Sequence, residues 1–191
     1  MQANKPKIGK FITQGTCGDV FEIEGDKSSV IKVPIGYMNG NKSSVQGTAQ
    51  DVLDEARTYK RLKLALEPIF THMKVIKLAK LEGAKGNYVG LIKSRITPVS
   101  SKVTVAQIEQ LRRKVINLSH KGFIFKDKIE VGTDSNGNLS IYDTGFIKKG
   151  DPEDAFDINN SKWERLTKEV SRMKGKTDYS VYGFINQREK Y

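Results

Sequence analysis

Two aspartates bracket one unusual stretch of this chain. Asp127 stands near the entry of GFIFKDKIEVGTDSNGNLSIYDTG (Gly122–Gly145) and Asp143 near its exit. Between them, Asn136-Gly137 is a strong short-range signal for a hairpin and favours a type I′ turn. Folding back across such a turn brings residues near Glu130 and Tyr142 together and sets both aspartates toward one end. Two carboxylates placed this way suit a base that orients a hydroxyl and a ligand for a hard, oxygen-loving cation such as Mg2+. A plain surface hairpin with both acids in solvent is the simpler alternative.

Further residues upstream suit an anionic partner. QGTCGDV (Gln14–Val20) is a glycine-bearing turn between two apolar runs. Gly15 and Gly18 allow backbone N–H groups to approach an anion closely, because no Cβ intervenes. Most such turns are only hairpins, so this motif alone decides nothing. Lys32 lies inside VIKVP and points to the face opposite Ile31 and Val33. On an inner face it would need an anionic partner. Glu55 is the candidate: it borders the apolar stripe of the next helix, whereas Asp51 and Asp54 read as ordinary helix-surface charge.

The elements that must carry these residues can be read from periodicity. KIGKFIT, DVFEIE and SSVIKVP read as strands. Ile35–Thr48 is rich in Gly, Asn, Ser and Lys and reads as a loop. AQDVLDEARTYKRLKLAL reads as a helix with Val52, Ala56, Tyr59, Leu62 and Leu66 on one stripe, closed by Pro68. MKVIKLAKLEG and NYVGLIKSRI come next as strands around a turn at Gly83–Asn87, and TPVSSK marks a boundary. A second helix, VAQIEQLRRKVINLSHKG, has Ile108, Leu111, Val115 and Leu118 on its stripe and Gly122 past its end. The hairpin succeeds it, then a loop, FIKKGDPEDAFDINN. A last helix, SKWERLTKEVSRMKG, aligns Trp163, Leu166, Val170 and Met173. The expected fold class is α+β: an antiparallel sheet with one helix over residues 1–96, then a mostly helical part over 97–191.

Bulk composition narrows the function classes. The chain has 191 residues, 37% hydrophobic, with eight Phe, seven Tyr and one Trp, enough to form a core. The lone Cys17 excludes an intramolecular disulfide and a cysteine metal cluster. No apolar run suits a membrane span and no signal-peptide pattern stands out, so a soluble protein is expected. A net charge of +11 could attract nucleic acid, an anionic membrane, an acidic partner or a polyphosphate, and the dispersed lysines do not choose among them. His72 and His120 carry no zinc pattern; His72 reads as a surface loop residue and His120 as a helix C-terminal one.

Taken in order, these motifs resemble the signature set of the protein-kinase superfamily. TQGTCGDV resembles the glycine-rich loop, with Thr13 in place of its first glycine and with Gly15, Thr16, Cys17, Gly18 and Val20 where a nucleotide's phosphates would lie. VIKV resembles the strand that carries the phosphate-binding lysine, here Lys32, whose helix partner would be Glu55. GFIFKD stands where the catalytic loop is expected, with Phe125 and Lys126 for the usual His and Arg and Asp127 as the base. DTG (Asp143–Gly145) stands for the metal-binding DFG motif. The resemblance covers Lys7 to Phe146 and implies a two-lobed fold, ATP and Mg2+, with adenine against apolar residues of Val89–Ile96.

Several positions depart from the family pattern. Asp127 and Asp143 lie closer in sequence than is usual there, and Gly132 occupies the position five after the base, where an asparagine is expected. Counting back from the metal motif places Glu130 as the second metal ligand; Asp134 is better explained as a turn residue. No APE motif comes after Gly145, and Thr144 is the only hydroxyl side chain between Asp143 and Ser161, so loop phosphorylation is not expected to switch the protein on. A trimmed second lobe is similar to the minimal kinases that bacterial pathogens inject into host cells as type III effectors. That likeness implies a virulence effector secreted by a bacterium and acting in host cytoplasm, expected as a monomer. Its activity would be Ser/Thr phosphorylation, ahead of Tyr, of a host protein, with a chaperone or ubiquitin-pathway protein as partner by analogy. The rival readings are a pseudokinase-type binding module, a basic nucleic-acid-binding protein drawing on the C-terminal KGKTDYSVYGFINQREKY, and a small-molecule phosphotransferase of kinase-like fold.

Overall fold

Alternating burial along its second strand and the end of its third shapes the core of the first sheet. The computed structural model describes residues 6–79, 81–82, 88–98 and 103–174, without the side chains of 65, 98, 105 and 169–174. It is α+β, with an antiparallel N-terminal sheet and three helices. The chain divides into two units. The first runs to Leu66 and resumes over Thr71–Arg95; the second takes Glu67–Phe70 and the chain from Ile96 onward.

In the first unit, β1 (Ile8–Gly15), β2 (Gly18–Ile23) and β3 (Asp26–Val33) form consecutive hairpins. The helix α1 (Lys42–Arg61) then leads to β4 (Met73–Lys77) and β5 (Val89–Ser94). The sheet order is β1-β2-β3-β5-β4, all neighbours antiparallel. The pairing of β1 with β2 shifts register twice, between Ile8 and Phe11 and again between Phe11 and Thr13. Ile31 and Val33 are fully buried and share a cluster with Phe21, Ile23, Val45, Leu78 and Tyr88. Lys32, between them, faces the other way. Tyr59 ties α1 to the sheet, its hydroxyl accepting from the Met73 N–H at 3.1 Å.

The helix differs from the expectation at both ends. It starts at Lys42, inside the segment expected as a loop, because Asn41 caps it: the Ser44 N–H donates to Asn41 Oδ1 at 3.2 Å. Val45, among polar neighbours in sequence, is fully buried and anchors this extra turn. The helix ends at Arg61 rather than near Pro68. The Leu62 N–H bonds to Thr58 O, Lys63 turns to φ +54, and Leu64–Leu66 form a 3-10 turn. The expected Gly83–Asn87 turn lies outside the described residues.

In the second unit, a short β6 (Thr97–Pro98) precedes α2 (Val105–His120), and residues 99–102 of the expected boundary segment lie outside the described residues. Thr104 and Gln107 form a reciprocal cap, and Ile108, Leu111, Val115 and Leu118 are all buried. Gly122 comes next at φ +74, against Gly150 O, where any Cβ would collide. Then come β7 (Phe123–Phe125), β8 (Val131–Thr133), β9 (Leu139–Ile141) and β10 (Ile147–Lys149). β10 pairs with β7, and β6, β8 and β9 make a small sheet. The last helix, α3 (Pro152–Lys174), packs on α2 and β7 through buried Ala155, Trp163 and Leu166. The side chains of Val170 and Met173, and the basic segment from 175 onward, lie outside the described residues.

Two local expectations are corrected by the structure. FIKKGDPEDAFDINN is a strand and the start of a helix, not a loop. Asp151 caps α3 through the Glu153 N–H at 2.8 Å, proline takes the first helical position, and Glu153 and Asp154 lie in the first turn. The hairpin at Asn136-Gly137 is not a two-residue type I′ turn either. Gly137 has φ +79 but Asn136 does not have positive φ. Asp134 organises a wider loop instead, its Oδ1 accepting from the N–H groups of Asn136 and Asn138, both at 2.9 Å.

Candidate active site

The expected functional residues fall into one cluster in each unit. In the first unit, Thr16 and Cys17 form the two-residue connection between β1 and β2, with Gly15 opposite Gly18. A Cβ on Gly18 would lie 2.7 Å from Val33 O and 3.0 Å from Lys32 Cγ. Glycine is therefore required there by the Val33 carbonyl, a backbone atom that cannot move aside, with the lysine stem close beside it. Val20 pairs directly with Lys32 across β2 and β3. Asp19 is buried between them and steadies the turn: its carboxylate accepts from Gln14 Nε2 and from the Gly36 N–H, each at 2.9 Å.

Lys32 Nζ donates to Glu55 Oε2 at 2.7 Å, and a second lysine shares the same carboxylate. Lys93 Nζ, from β5, donates to Glu55 Oε1 at 2.8 Å. The side chains of Lys32, Lys93 and Glu55 are 13%, 10% and 3% exposed. Burial alone would push the Glu55 carboxyl up; Lys93 and Lys32 more than reverse this and lower it to about 2. Glu55 is thus held as the anion. Register explains how both lysines reach it. Lys32 pairs with Leu91 and Val30 with Lys93, so the two ammonium groups sit diagonally on one face of adjacent strands.

In the second unit, Asp127, Glu130 and Asp143 are among the residues that line one small depression, together with Phe125, Lys128, Phe146 and Ile147. Asp127 is exposed and accepts from the Lys128 N–H at 2.8 Å. Asp143 Oδ1 accepts from the Gly145 N–H at 3.0 Å. Glu130 Oε1 forms an ion pair with Lys128 Nζ at 2.8 Å, and the Glu130 carbonyl accepts from the Tyr142 N–H. The Tyr142 phenol reports their field: burial pushes it up, Glu130 and Asp143 add to this, and Lys128 opposes. Among the described residues, no group of three or more His, Cys, Asp or Glu is arranged to hold a metal ion. Gly132 is fixed by packing, since a Cβ would meet Ile96 Cγ2 and sit 2.5 Å from Thr97 O. An asparagine could not stand there.

Sequence reasoning did not single out two further residues. Lys93 resembles any lysine in a strand, and only the register of β5 reveals its role. Asn159 of α3 is fully buried beneath β7. Its Oδ1 accepts from the Phe125 N–H at 3.0 Å, and its Nδ2 donates to Phe123 O at 2.7 Å and Ser119 Oγ at 2.9 Å. It fixes the strand that delivers Asp127. The only sequence signal was an asparagine at helical spacing from Ala155 and Trp163, which a loop reading hides.

Thr144, beside Asp143, is 1% exposed, and its hydroxyl has no hydrogen-bond partner among the described residues. An unsatisfied buried hydroxyl costs about 1–3 kcal/mol. Thr144→Val should therefore raise the urea unfolding midpoint; a lowered midpoint would show that the hydroxyl has a stabilising partner. His72 is exposed and lies against Tyr59, and His120 ends α2 with its ring tilted on Phe156. No helix among the described residues is long and apolar enough to cross a membrane. No model of a known protein family matches this chain, and no curated protein matches it.

Proposed function

We propose that this chain is an ATP-dependent protein kinase that phosphorylates a hydroxyl of a host protein, Ser or Thr ahead of Tyr, as an effector secreted by a bacterium into the host cytoplasm. The observation that carries the enzymatic part is the buried ion pair of Lys32 with Glu55, 2.7 Å long, beside a turn in which Gly18 must lack a Cβ. A lysine held this way is a fixed donor for phosphate oxygens. The host and effector parts rest on the family resemblance alone.

The residues present fit ATP and Mg2+ by their donor chemistry. Mg2+ keeps several waters and takes one or two carboxylates plus substrate phosphates, so the pair Asp143 and Glu130 is an adequate protein contribution. When bound, Mg-ATP supplies the electrophilic γ-phosphoryl group and the cation that neutralises its charge. Lys32, held by Glu55, would contact the α- and β-phosphates, and the backbone of Gly15–Gly18 would lie along them. Asp143 and Glu130 would supply the oxygen ligands of the cation. Asp127 would accept the proton of the acceptor hydroxyl as the γ-phosphoryl group passes to that oxygen and ADP leaves. Most of the rate enhancement comes from positioning and electrostatics. Between Asp143 and α3 the only hydroxyl is the buried Thr144, so no exposed side chain in this connection could be phosphorylated to regulate it.

A second reading, a binding module without turnover, is favoured by the Glu130–Lys128 ion pair, which occupies a metal ligand. Transfer of label from γ-labelled ATP decides between the two. The full chain is incubated with Mg2+, alone and in host-cell lysate, beside Lys32→Ala and Asp143→Ala. A labelled protein seen with the wild type and lost in both variants is the expected result. ATP binding without any transfer selects the binding module, and absence of ATP binding overturns the nucleotide assignment.

A further inference from the structure

Glu55 has a counter-ion arrangement that a single lysine–glutamate pair would not need. Each carboxylate oxygen takes a different ammonium group, Lys32 on Oε2 at 2.7 Å and Lys93 on Oε1 at 2.8 Å. All three side chains are nearly sealed from water, so solvent cannot take over from a departing partner. The two lysines differ in their surroundings. The stem of Lys32 lies against Gly18 of the glycine-bearing turn, while Lys93 sits opposite Met73 and Val30 in the interior of the sheet.

A nucleotide phosphate would share the Lys32 ammonium with Glu55, since the three N–H donors can serve both oxygens at once, and would draw positive charge away from the buried carboxylate. With one lysine, Glu55 would lose part of its only compensation. We propose that Lys93 is a positioning residue: by holding Glu55 Oε1 it keeps that carboxylate compensated while Lys32 divides its ammonium between Glu55 and the phosphates. The inference rests on the nucleotide-binding reading for its functional half. Its structural half, a shared counter-ion, stands on the geometry of the first unit.

The test uses calorimetric binding of a non-hydrolysable ATP analogue and of adenosine to the full chain. Lys93→Met should weaken the analogue about tenfold, within the usual range of coupling between sites. Adenosine should bind as it does to the wild type, and Lys93→Arg should restore the analogue. Unchanged affinity for the analogue overturns the proposal, and so does equal weakening of both ligands, which marks a merely structural lysine. If the wild type binds neither ligand, the nucleotide reading fails and urea unfolding of Lys32→Met, Lys93→Met and the double variant decides the remaining half. A double loss larger than the sum of the single losses supports the shared counter-ion, because either lysine alone satisfies Glu55 in part. Additive losses overturn it.

Discussion

Replacing Glu55 by glutamine is expected to lower stability at neutral pH by about 3–5 kcal/mol, the usual consequence of removing one partner from a buried ion cluster. Glutamine keeps the shape but leaves two buried ammonium groups without an anion, one of them facing an amide N–H2. The effect should depend on pH in a defined direction. The folded carboxyl is lowered to about 2 from its ordinary 4.5, so its contribution is complete above pH 4.5 and disappears as pH falls toward 2. A shift of this size corresponds to about 3 kcal/mol. Urea titrations of wild type and Glu55→Gln at pH 7 and pH 3 measure it. The difference between the two proteins should be large at pH 7 and clearly smaller at pH 3. Asp26, Glu109 and Asp134 are also lowered by their hydrogen bonds and ion pairs, so both proteins weaken in acid and only the difference isolates Glu55. A difference below about 1 kcal/mol at pH 7 would mean that the triad is no better than a surface pair.

Asn159→Ala should be comparably damaging for a different reason. The alanine variant strands the Phe125 N–H, the Phe123 carbonyl and one bond of Ser119, all buried. At about 1–3 kcal/mol for each unsatisfied group, a loss of about 3 kcal/mol or more is expected. Amide exchange at Phe125 should quicken beyond what global destabilisation explains, since Asn159 Oδ1 is the acceptor for that amide. Asn159→Asp is the sharper control. It retains an acceptor for Phe125 but turns a carboxylate oxygen toward Phe123 O, so it too should lose stability. Wild-type unfolding of Asn159→Asp would show that the two amide donor bonds contribute nothing.

How much of this could be read from the residues depends on what kind of signal each feature leaves. Alternation made β2 and β3 visible, and the stripe of Ile108, Leu111, Val115 and Leu118 made α2 visible, because burial dictates those periods. Glu55 could be preferred over Asp54 for the same reason, since it borders the stripe and Asp54 does not. The helix starts were missed where capping outweighs composition. Asn41 and Asp151 each begin a helix inside a run of Gly, Ser, Lys or Asp that reads as loop, and only their side-chain bonds to Ser44 and Glu153 show otherwise. The Asn136-Gly137 turn was legible in place but not in type, because Asp134 gathers nearby polar groups of the loop and so favours a wider connection. Lys93 left no local trace. Its significance comes from strand register, which pairs it with Val30 and Met73 and so brings it diagonally to Lys32.

The two register shifts in β1 also bear on how this protein avoids its own copies. β1 is an outermost strand of the first sheet, and it exposes Phe11 (58%) and Ile12 (39%). A flat strand with those side chains and an open row of backbone groups would template pairing with another chain. The irregularities around Phe11 break the row and twist it, and exposed Lys7 and Lys10 precede the apolar pair. At the opposite edge, β4 exposes Lys74 and Lys77. Among the described residues, lysines thus stand at both outer strands of the sheet, where their charge disfavours edge-to-edge pairing with another copy.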